Sequence, residues 1–308
     1  MELRNKSHHQ PKNAVLMAMF GTTVEPALNS LLLIQRKIQE YFPATPVRIS
    51  FTSNIIRKIW QKRALDPVYV SQHKNIPAEI MHIRGPLAAM ADLHEAGYDT
   101  LVVQPTLIDA GEEFHDLTNY VKALDSIETI KEKYKPFKRV VIGRPALGSF
   151  GPRHPYSLDI ETAARRLSAD AALAKQKGAA LVYMGHGNNY FPSGGSYLEF
   201  AERMRQLYPD VLTVIGCVEG FPSRREVTAQ LQMANIQKVL LKPFMIAAGI
   251  HTIEDMAGDE PNSWKSTFTA AGYTVITISK GLGENAGFAK IFAEHAADAA
   301  LDAGIDLK

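Results

Sequence analysis

Gln104–Asp116 reads QPTLIDAGEEFHD, and Lys242–Glu254, 138 positions later, reads KPFMIAAGIHTIE. Pro105 falls on Pro243 and Gly111 on Gly249, and each stretch continues a short aliphatic run, Thr100–Gln104 or Lys238–Lys242. A strand followed by a glycine loop, repeated at fixed spacing, marks a duplicated unit. The match extends outwards. At an offset of 166, Val15–Gly21 falls on Leu181–Gly187, Tyr41-Phe42-Pro43 on Leu207-Tyr208-Pro209, and Ser53 on Glu219. At 135, Leu147-Gly148 falls on Leu282-Gly283. The drop from 166 to 138 assigns the first half 28 extra residues, roughly Arg57–Arg84.

Short β-rich runs alternate with amphipathic helical patterns throughout, which predicts parallel α/β architecture. Strands are expected over Ala14–Phe20, Val47–Phe51, Thr100–Gln104 and Arg139–Gly143, then over Ala179–Met184, Val211–Gly216, Lys238–Lys242 and Tyr273–Ile278. The fold class that follows is α/β: two pseudo-symmetric domains, each a four-stranded parallel sheet flanked by helices, with the active site in the cleft between them. The expected division is a polar tail at 1–12, a first domain at 13–150, a second at 151–284 and a C-terminal helix at 285–308, long enough to cross back onto the first domain. Gly148–Ser157, with two Pro and two Gly, is the expected hinge.

Composition narrows the function. The 308 residues carry 34 Lys+Arg against 32 Asp+Glu, too balanced for a dedicated nucleic-acid binder. One Cys excludes a disulfide framework and Cys-based zinc or iron–sulfur centres. Apolar stretches such as Val239–Ile250 are too short, and too interrupted by Lys242 and Pro243, to span a bilayer. Lys6, Lys12 and the run Ala14–Phe20 loosely imitate a secretory leader, but no small-residue cleavage site follows, so a cytoplasmic protein is expected. A periplasmic one would require a leader already removed. His8-His9 in the tail needs no metal. Gly21-Thr22-Thr23 lacks any following Gly-Lys-Ser/Thr or GxGxxG, so no nucleotide is expected, and Ser193 and Ser196 lie in a plain glycine-rich loop without a GxSxG elbow.

The duplication then asks what one half holds at its strand ends that the other lacks. At the first strand end Phe20 faces His186, at the second Ser53 faces Glu219, and after the third Glu113 faces His251. Strand ends of one parallel sheet converge on one crevice. His186, Glu219 and His251, flanked by Gly185, Gly187, Gly216, Gly220, Ala248 and Gly249, are therefore the candidate constellation. Two imidazoles and a carboxylate suit a divalent ion such as Co, Ni, Fe(II) or Zn. They equally suit proton abstraction near neutral pH. On this reading the second half carries the chemistry and the first half, with Phe20, is mainly a wall. Cys217 reads as an inert buried thiol and His115 as a surface residue. Glu254 and Asp255, with Asp259-Glu260, read as the acidic start of a helix or, less simply, as a metal-delivery patch. Arg57, Lys58, Lys62 and Arg63 form a basic cluster, either a solvated helix face or a partner for ligand carboxylates.

FGTT at Phe20–Thr23, FTSNIIRK at Phe51–Lys58, MGHG at Met184–Gly187, VEG at Val218–Gly220 and GIHTIEDMAGDEPNSWK at Gly249–Lys265 resemble the anaerobic-type sirohydrochlorin cobaltochelatases. These are class II tetrapyrrole chelatases with a ferrochelatase-like fold, and the resemblance covers nearly the whole chain after residue 12. It implies insertion of Co²⁺ into sirohydrochlorin with loss of two pyrrole protons. His186, Glu219 and His251 would bind the metal and handle the protons. Phe20, Thr22, Thr23, Asn188 and Arg57 or Lys58 would meet a macrocycle bearing many carboxylates. Insertion of Fe²⁺ or Ni²⁺, a non-catalytic tetrapyrrole or metal carrier, and a zinc hydrolase using the same triad are the competing readings, and a homo-oligomer is compatible with all. Two positions depart from the family pattern. Thr106-Leu107-Ile108 stands where Leu-His-Ile is expected, which puts a heme or subunit contact there in question. Gly249-Ile250-His251-Thr252 stands where Gly-Asp-His-Ala is expected, removing a carboxylate beside the histidine.

Overall fold

In the computed structural model, which describes residues 12–308, eight strands form two separate four-stranded sheets. The tail with His8 and His9 lies outside the described residues. The strands are β1 (Asn13–Met19), β2 (Val47–Phe51), β3 (Thr100–Thr106) and β4 (Arg139–Ile142), then β5 (Ala180–Gly187), β6 (Thr213–Glu219), β7 (Lys238–Phe244) and β8 (Thr274–Thr277). The sheet orders are β2-β1-β3-β4 and β6-β5-β7-β8, and every pairing is parallel. The two halves thus repeat one topology, as the offsets predict.

Both faces of each sheet are buried, so the central strands read as near-continuous apolar runs. Along β1, Ala14, Leu16 and Ala18 face an outer layer containing the helices Pro86–Glu95 and Glu112–Asp125, whereas Val15, Met17 and Met19 face a core common to both sheets. Along β5, Ala180, Val182 and Met184 face the helices Arg224–Met233 and Trp264–Ala270, while Leu181 and Tyr183 face the common core. The C-terminal helix Ala286–Asp302 packs against the helix Leu28–Tyr41 and against β3. Beyond β4, Arg144 pairs with Asp159 at 2.9 Å and Asp298 at 2.9 Å, and His295 bridges Asp159 and the Arg144 carbonyl at 3.1 Å each. The segment expected to act as a hinge is therefore tied to the last helix at its root.

A second buried ion pair lies beneath β5 and β7. Lys242 Nζ donates to both carboxylate oxygens of Asp170 at 2.6 and 2.7 Å, and the Tyr183 hydroxyl donates to the same carboxylate at 2.7 Å. The insertion in the first half folds as the end of the helix Asn54–Ala64 and two short helices, Pro67–Gln72 and Ala78–Met81. It buries Ile76, Ile80, Met81 and Ile83. It also covers the open edge of β2, where Glu79 accepts the Ile49 amide at 2.8 Å, an edge that would otherwise be free to pair with another chain.

Four strands run further than their hydrophobic pattern predicts, β3 and β7 by two residues and β5 and β6 by three. β5 continues through Gly185-His186-Gly187 and β6 through Cys217-Val218-Glu219, with Gly185 opposite Cys217 and Gly187 opposite Glu219. Glycines and polar residues hide these last turns of strand from a hydrophobicity reading. Pairing with a neighbour keeps them extended.

Candidate active site

In each sheet the chain order reverses beside the first strand, and ligands of open α/β sheets sit beyond the carboxyl ends at such switch points. In the second sheet the two strands flanking it are β5 and β7. His186 stands at the end of β5, and His251 follows β7 at the start of a short π-helical turn, Thr252–Met256. Their rings meet edge to face, with centroids 4.8 Å apart and planes at 80°. A π-turn widens the backbone and recurs at functional sites.

The partners of the two rings decide their chemistry. His186 Nδ1 lies 2.9 Å from the Gly187 carbonyl oxygen, which only accepts, so Nδ1 carries the hydrogen and donates it. His251 Nδ1 lies 2.6 Å from Asp255 Oδ2 and donates in the same way. Each neutral ring then presents an Nε2 lone pair that can hold a divalent ion or accept a proton. Asp255, read from sequence as part of an acidic helix start, does lie in the first turn of this helix, and its carboxylate also orients His251. It supplies, one turn later, the carboxylate that Ile250 removes from the position before the histidine. Asp255→Asn should keep the hydrogen bond but weaken the basicity of His251. A roughly 10–100-fold loss in metal affinity or turnover is expected, the usual effect of removing such a partner, and cobalt titration checks it.

The close approach of β5 and β6 depends on glycine. Gly187 (φ +75°) and Gly220 (φ +73°) both occupy left-handed backbone, and a Cβ at either would run into a carbonyl, of Glu219 or of Asn188. Glu219 itself is exposed at the end of β6, with Oε2 3.4 Å from Asn189 Nδ2. Among the described residues no group of three or more His, Cys, Asp or Glu side chains is gathered to hold a metal ion. The structure thus brings the two histidines together and leaves Glu219 beside them but apart.

The first half contributes more than a wall. The loop after β3 carries Asp109 and the first turn of the following helix carries Glu113, and a positive charge on His186 would favour the ionised form of both. Burial outweighs that attraction and pushes both carboxyls above the usual carboxylate range. The expectation that the second half carries the chemistry and the first half is mainly a wall is corrected here, because carboxylates of the first half stand near His186. Glu113 was visible as the counterpart of His251. Asp109 was missed, although the duplication contained the signal: its counterpart at 138 is Ala247, an unexplained charge against a methyl. This segment is joined to the second half by the Tyr197 hydroxyl on Asp109 Oδ1 at 3.3 Å, by Asn188 Nδ2 on Glu112 Oε2 at 2.9 Å and by the Ser193 side chain on the Asp109 carboxyl. Two depressions of about 460 Å³ lie in the second half, one lined by the loop Asn188–Gly195 with Gly220 and Phe221, the other lined by Cys217, Arg224, Asp255 and Trp264 among others.

A family model described as cobalt chelatase (CbiK) matches residues 13–301. The chain belongs to the cobalt chelatase (CbiK) family. It is 30% identical over 293 residues to the sirohydrochlorin cobaltochelatase CbiKC of Nitratidesulfovibrio vulgaris, covering 94% of this chain and 92% of the relative. It is 27% identical over 286 residues to the sirohydrochlorin cobaltochelatase of Salmonella typhimurium, covering 92% and 95%. Among solved structures, SirB of Bacillus subtilis with Fe³⁺ superposes with a TM-score of 0.56 at 14% identity, over 96% of this chain and 100% of that one. The sirohydrochlorin chelatase SirB of the spizizenii subspecies in complex with cobalt gives the same TM-score at 13% identity. These two likenesses establish the two-domain α/β fold.

Several residues expected to contact substrate in this cobalt chelatase serve its framework instead. Arg57 folds back, with one guanidinium nitrogen donating to the carbonyls of Phe51 and Thr52 and another to the Asn54 side chain. Thr22 is buried; its hydroxyl accepts the Val24 amide at 3.1 Å and its carbonyl accepts Trp60 Nε1 at 2.8 Å. The Thr23 carbonyl accepts Arg63, whose guanidinium lies 4.6 Å from the Trp60 ring centre. Asn188 spends its oxygen on the amides of Tyr190 and Phe191 and its nitrogen on Glu112. These polar groups are consumed by turns, which sequence spacing does not reveal. Phe20, by contrast, stands 44% exposed at the end of β1, and Lys58 and Lys62 are exposed on their helix. Cys217 is buried and its thiol is pushed up to about 12, which keeps it inert, and His115 is exposed on the helix Glu112–Asp125, as expected. Among the described residues, no helix is long and apolar enough to cross a membrane.

Proposed function

We propose that this cobalt chelatase inserts Co²⁺ into sirohydrochlorin on the histidine pair at the switch point of the second sheet. The observation that carries the reading is the geometry of His186 and His251: both Nδ1 atoms are engaged, so both Nε2 lone pairs are turned free for one task. Insertion must strip water from the ion and remove two pyrrole protons. His186 and His251 exchange the ion's water for nitrogen ligands, and Glu219 joins by rotating about its exposed side-chain bonds. Each N–H bond breaks with its electron pair left on nitrogen, which then binds the metal. The carboxylates Glu113 and Asp109, held partly desolvated across the crevice, receive the protons. Phe20 offers a flat apolar face to the macrocycle. Lys58 and Lys62 take over from Arg57 as cationic partners of its carboxylates. Imidazole and carboxylate ligands discriminate weakly among these first-row ions, so insertion of Fe²⁺ or Ni²⁺ is the nearest alternative.

The test is absorbance change on mixing the protein, free-base sirohydrochlorin and Co²⁺. Turnover well beyond one equivalent is expected. A stoichiometric shift that stops at one equivalent would make the protein a carrier, and no shift at all would remove tetrapyrrole from the reading.

A further inference from the structure

The extra segment of the first half, roughly Arg57–Arg84, reaches back to the loop that follows β1 and grips it from one side. Trp60 Nε1 donates to the Thr22 carbonyl at 2.8 Å, and Arg63 donates to the Thr23 carbonyl at 2.8 Å. Tyr69 donates its hydroxyl to Glu25 at 2.6 Å, and His73, stacked on the Tyr69 ring at 3.9 Å, meets the same carboxylate at 3.2 Å. The Arg63 guanidinium is itself held against the rings of Trp60 and Tyr69, 4.6 and 5.2 Å from their centres. From the other side the chain after β2 continues the sheet, with the Thr52 amide on the Met19 carbonyl at 2.6 Å and the Ser53 amide on the Phe20 carbonyl at 3.3 Å. Gly21, in left-handed backbone at φ +97°, lets the loop lie against the Phe51 ring, where a Cβ would collide.

The second half lacks this segment, and there Asn188 closes the matching loop from within by accepting the Tyr190 and Phe191 amides. An α/β unit of this topology therefore forms its first strand end without such a grip. The same segment covers the β2 edge through Glu79, a different part of it. What the gripped loop carries is Phe20, a large apolar side chain left exposed at the carboxyl end of β1. We propose that Trp60, Arg63 and Tyr69 are positioning residues that hold the Phe20 loop in one conformation, so that the macrocycle meets the Phe20 ring already oriented. This rests on the chelatase reading and on Phe20 as a contact of the macrocycle. A loop that must be ordered when substrate arrives draws on binding energy, whereas a loop fixed beforehand leaves that energy to the complex. Fixing the carbonyls of Thr22 and Thr23 fixes the main chain directly after Phe20.

Arg63→Met keeps the packed stem and loses the donor to Thr23. Absorbance titration of the purified variant with free-base sirohydrochlorin, without metal, should give a Kd raised about tenfold, because the loop must then be ordered on binding. KM for the tetrapyrrole should rise with it, while kcat and KM for Co²⁺ stay within about twofold of wild type, the signature of lost substrate binding alone. Phe20→Ala should also weaken the tetrapyrrole, and Phe20→Ala with Arg63→Met should bind no worse than Phe20→Ala alone, since no ring is left to position. Should Arg63→Met fail to fold, Tyr69→Phe, which removes only the hydroxyl on Glu25, decides by the same pattern with a rise of about threefold. The proposal is overturned by wild-type tetrapyrrole affinity in the folded variant or in Phe20→Ala, by losses that multiply in full in the double variant, or by an equal loss in kcat or Co²⁺ affinity. The titration requires no turnover, so a wild-type protein that binds tetrapyrrole without multiple turnover defeats the chelatase reading separately.

Discussion

His186→Ala and His251→Ala should each lower cobalt insertion by about 10²–10⁴-fold, the range lost when a positioned acid–base group is removed. The reason is that each ring does two jobs with one atom. Its Nδ1 hydrogen is tied to Gly187 or Asp255, so Nε2 alone is left to hold the ion or take the proton, and each ring supplies one of the two nitrogens of the pair. Both rings are partly exposed and belong to none of the buried clusters, so thermal stability should change little. Multiple-turnover absorbance assays with folded variants check the expectation. Turnover within a few-fold of wild type in either one would remove that histidine from the mechanism.

Lys242→Met should destabilise the protein by roughly 3–5 kcal/mol, the range seen when one partner of a buried ion pair is deleted. Lys242 and Asp170 are nearly buried and joined by two hydrogen bonds, and among the described residues the only other group bonded to the Asp170 carboxylate is the Tyr183 hydroxyl. Methionine fills the lysine stem's volume, so the loss reports the stranded carboxylate rather than a cavity. Replacing both partners, Lys242→Met with Asp170→Leu, should recover most of it, because a well-packed apolar pair has no charge to desolvate. Urea-denaturation midpoints of the single and double variants decide the matter. A single variant within about 1 kcal/mol of wild type, the usual ceiling for an exposed pair, would show that water reaches Asp170.

The strand and helix order was legible because parallel sheets buried on both faces leave unbroken apolar runs, as in Val15–Met19 and Leu181–Met184, and glycine loops punctuate them. The histidines were legible for a different reason. A duplicated chain carries its own control, so His186 against Phe20 and His251 against Glu113 stood out as differences at equivalent places. Asp109 against Ala247 is a difference of the same kind, but an acidic residue in a loop is ordinarily solvated, so it carries no comparable signal.

Sequence alone determined the two-sheet α/β fold, the equivalence of the halves and the two imidazoles at one crevice, since these depend on periodicity and on offsets along the chain. Tertiary structure decided which polar groups are free. Arg57, Thr22 and Asn188 turn back onto the backbone because buried or turn-forming carbonyls and amides must be satisfied nearby, and the closest donor or acceptor in space takes that duty. Asp255 reaches His251 because one turn of a π-helix brings residue 255 alongside residue 251. Asp109 reaches the site from the other half because the two sheets face each other. Which side chain is spent on the fold and which is left for chemistry is a property of partners in space, and no spacing along the chain encodes it.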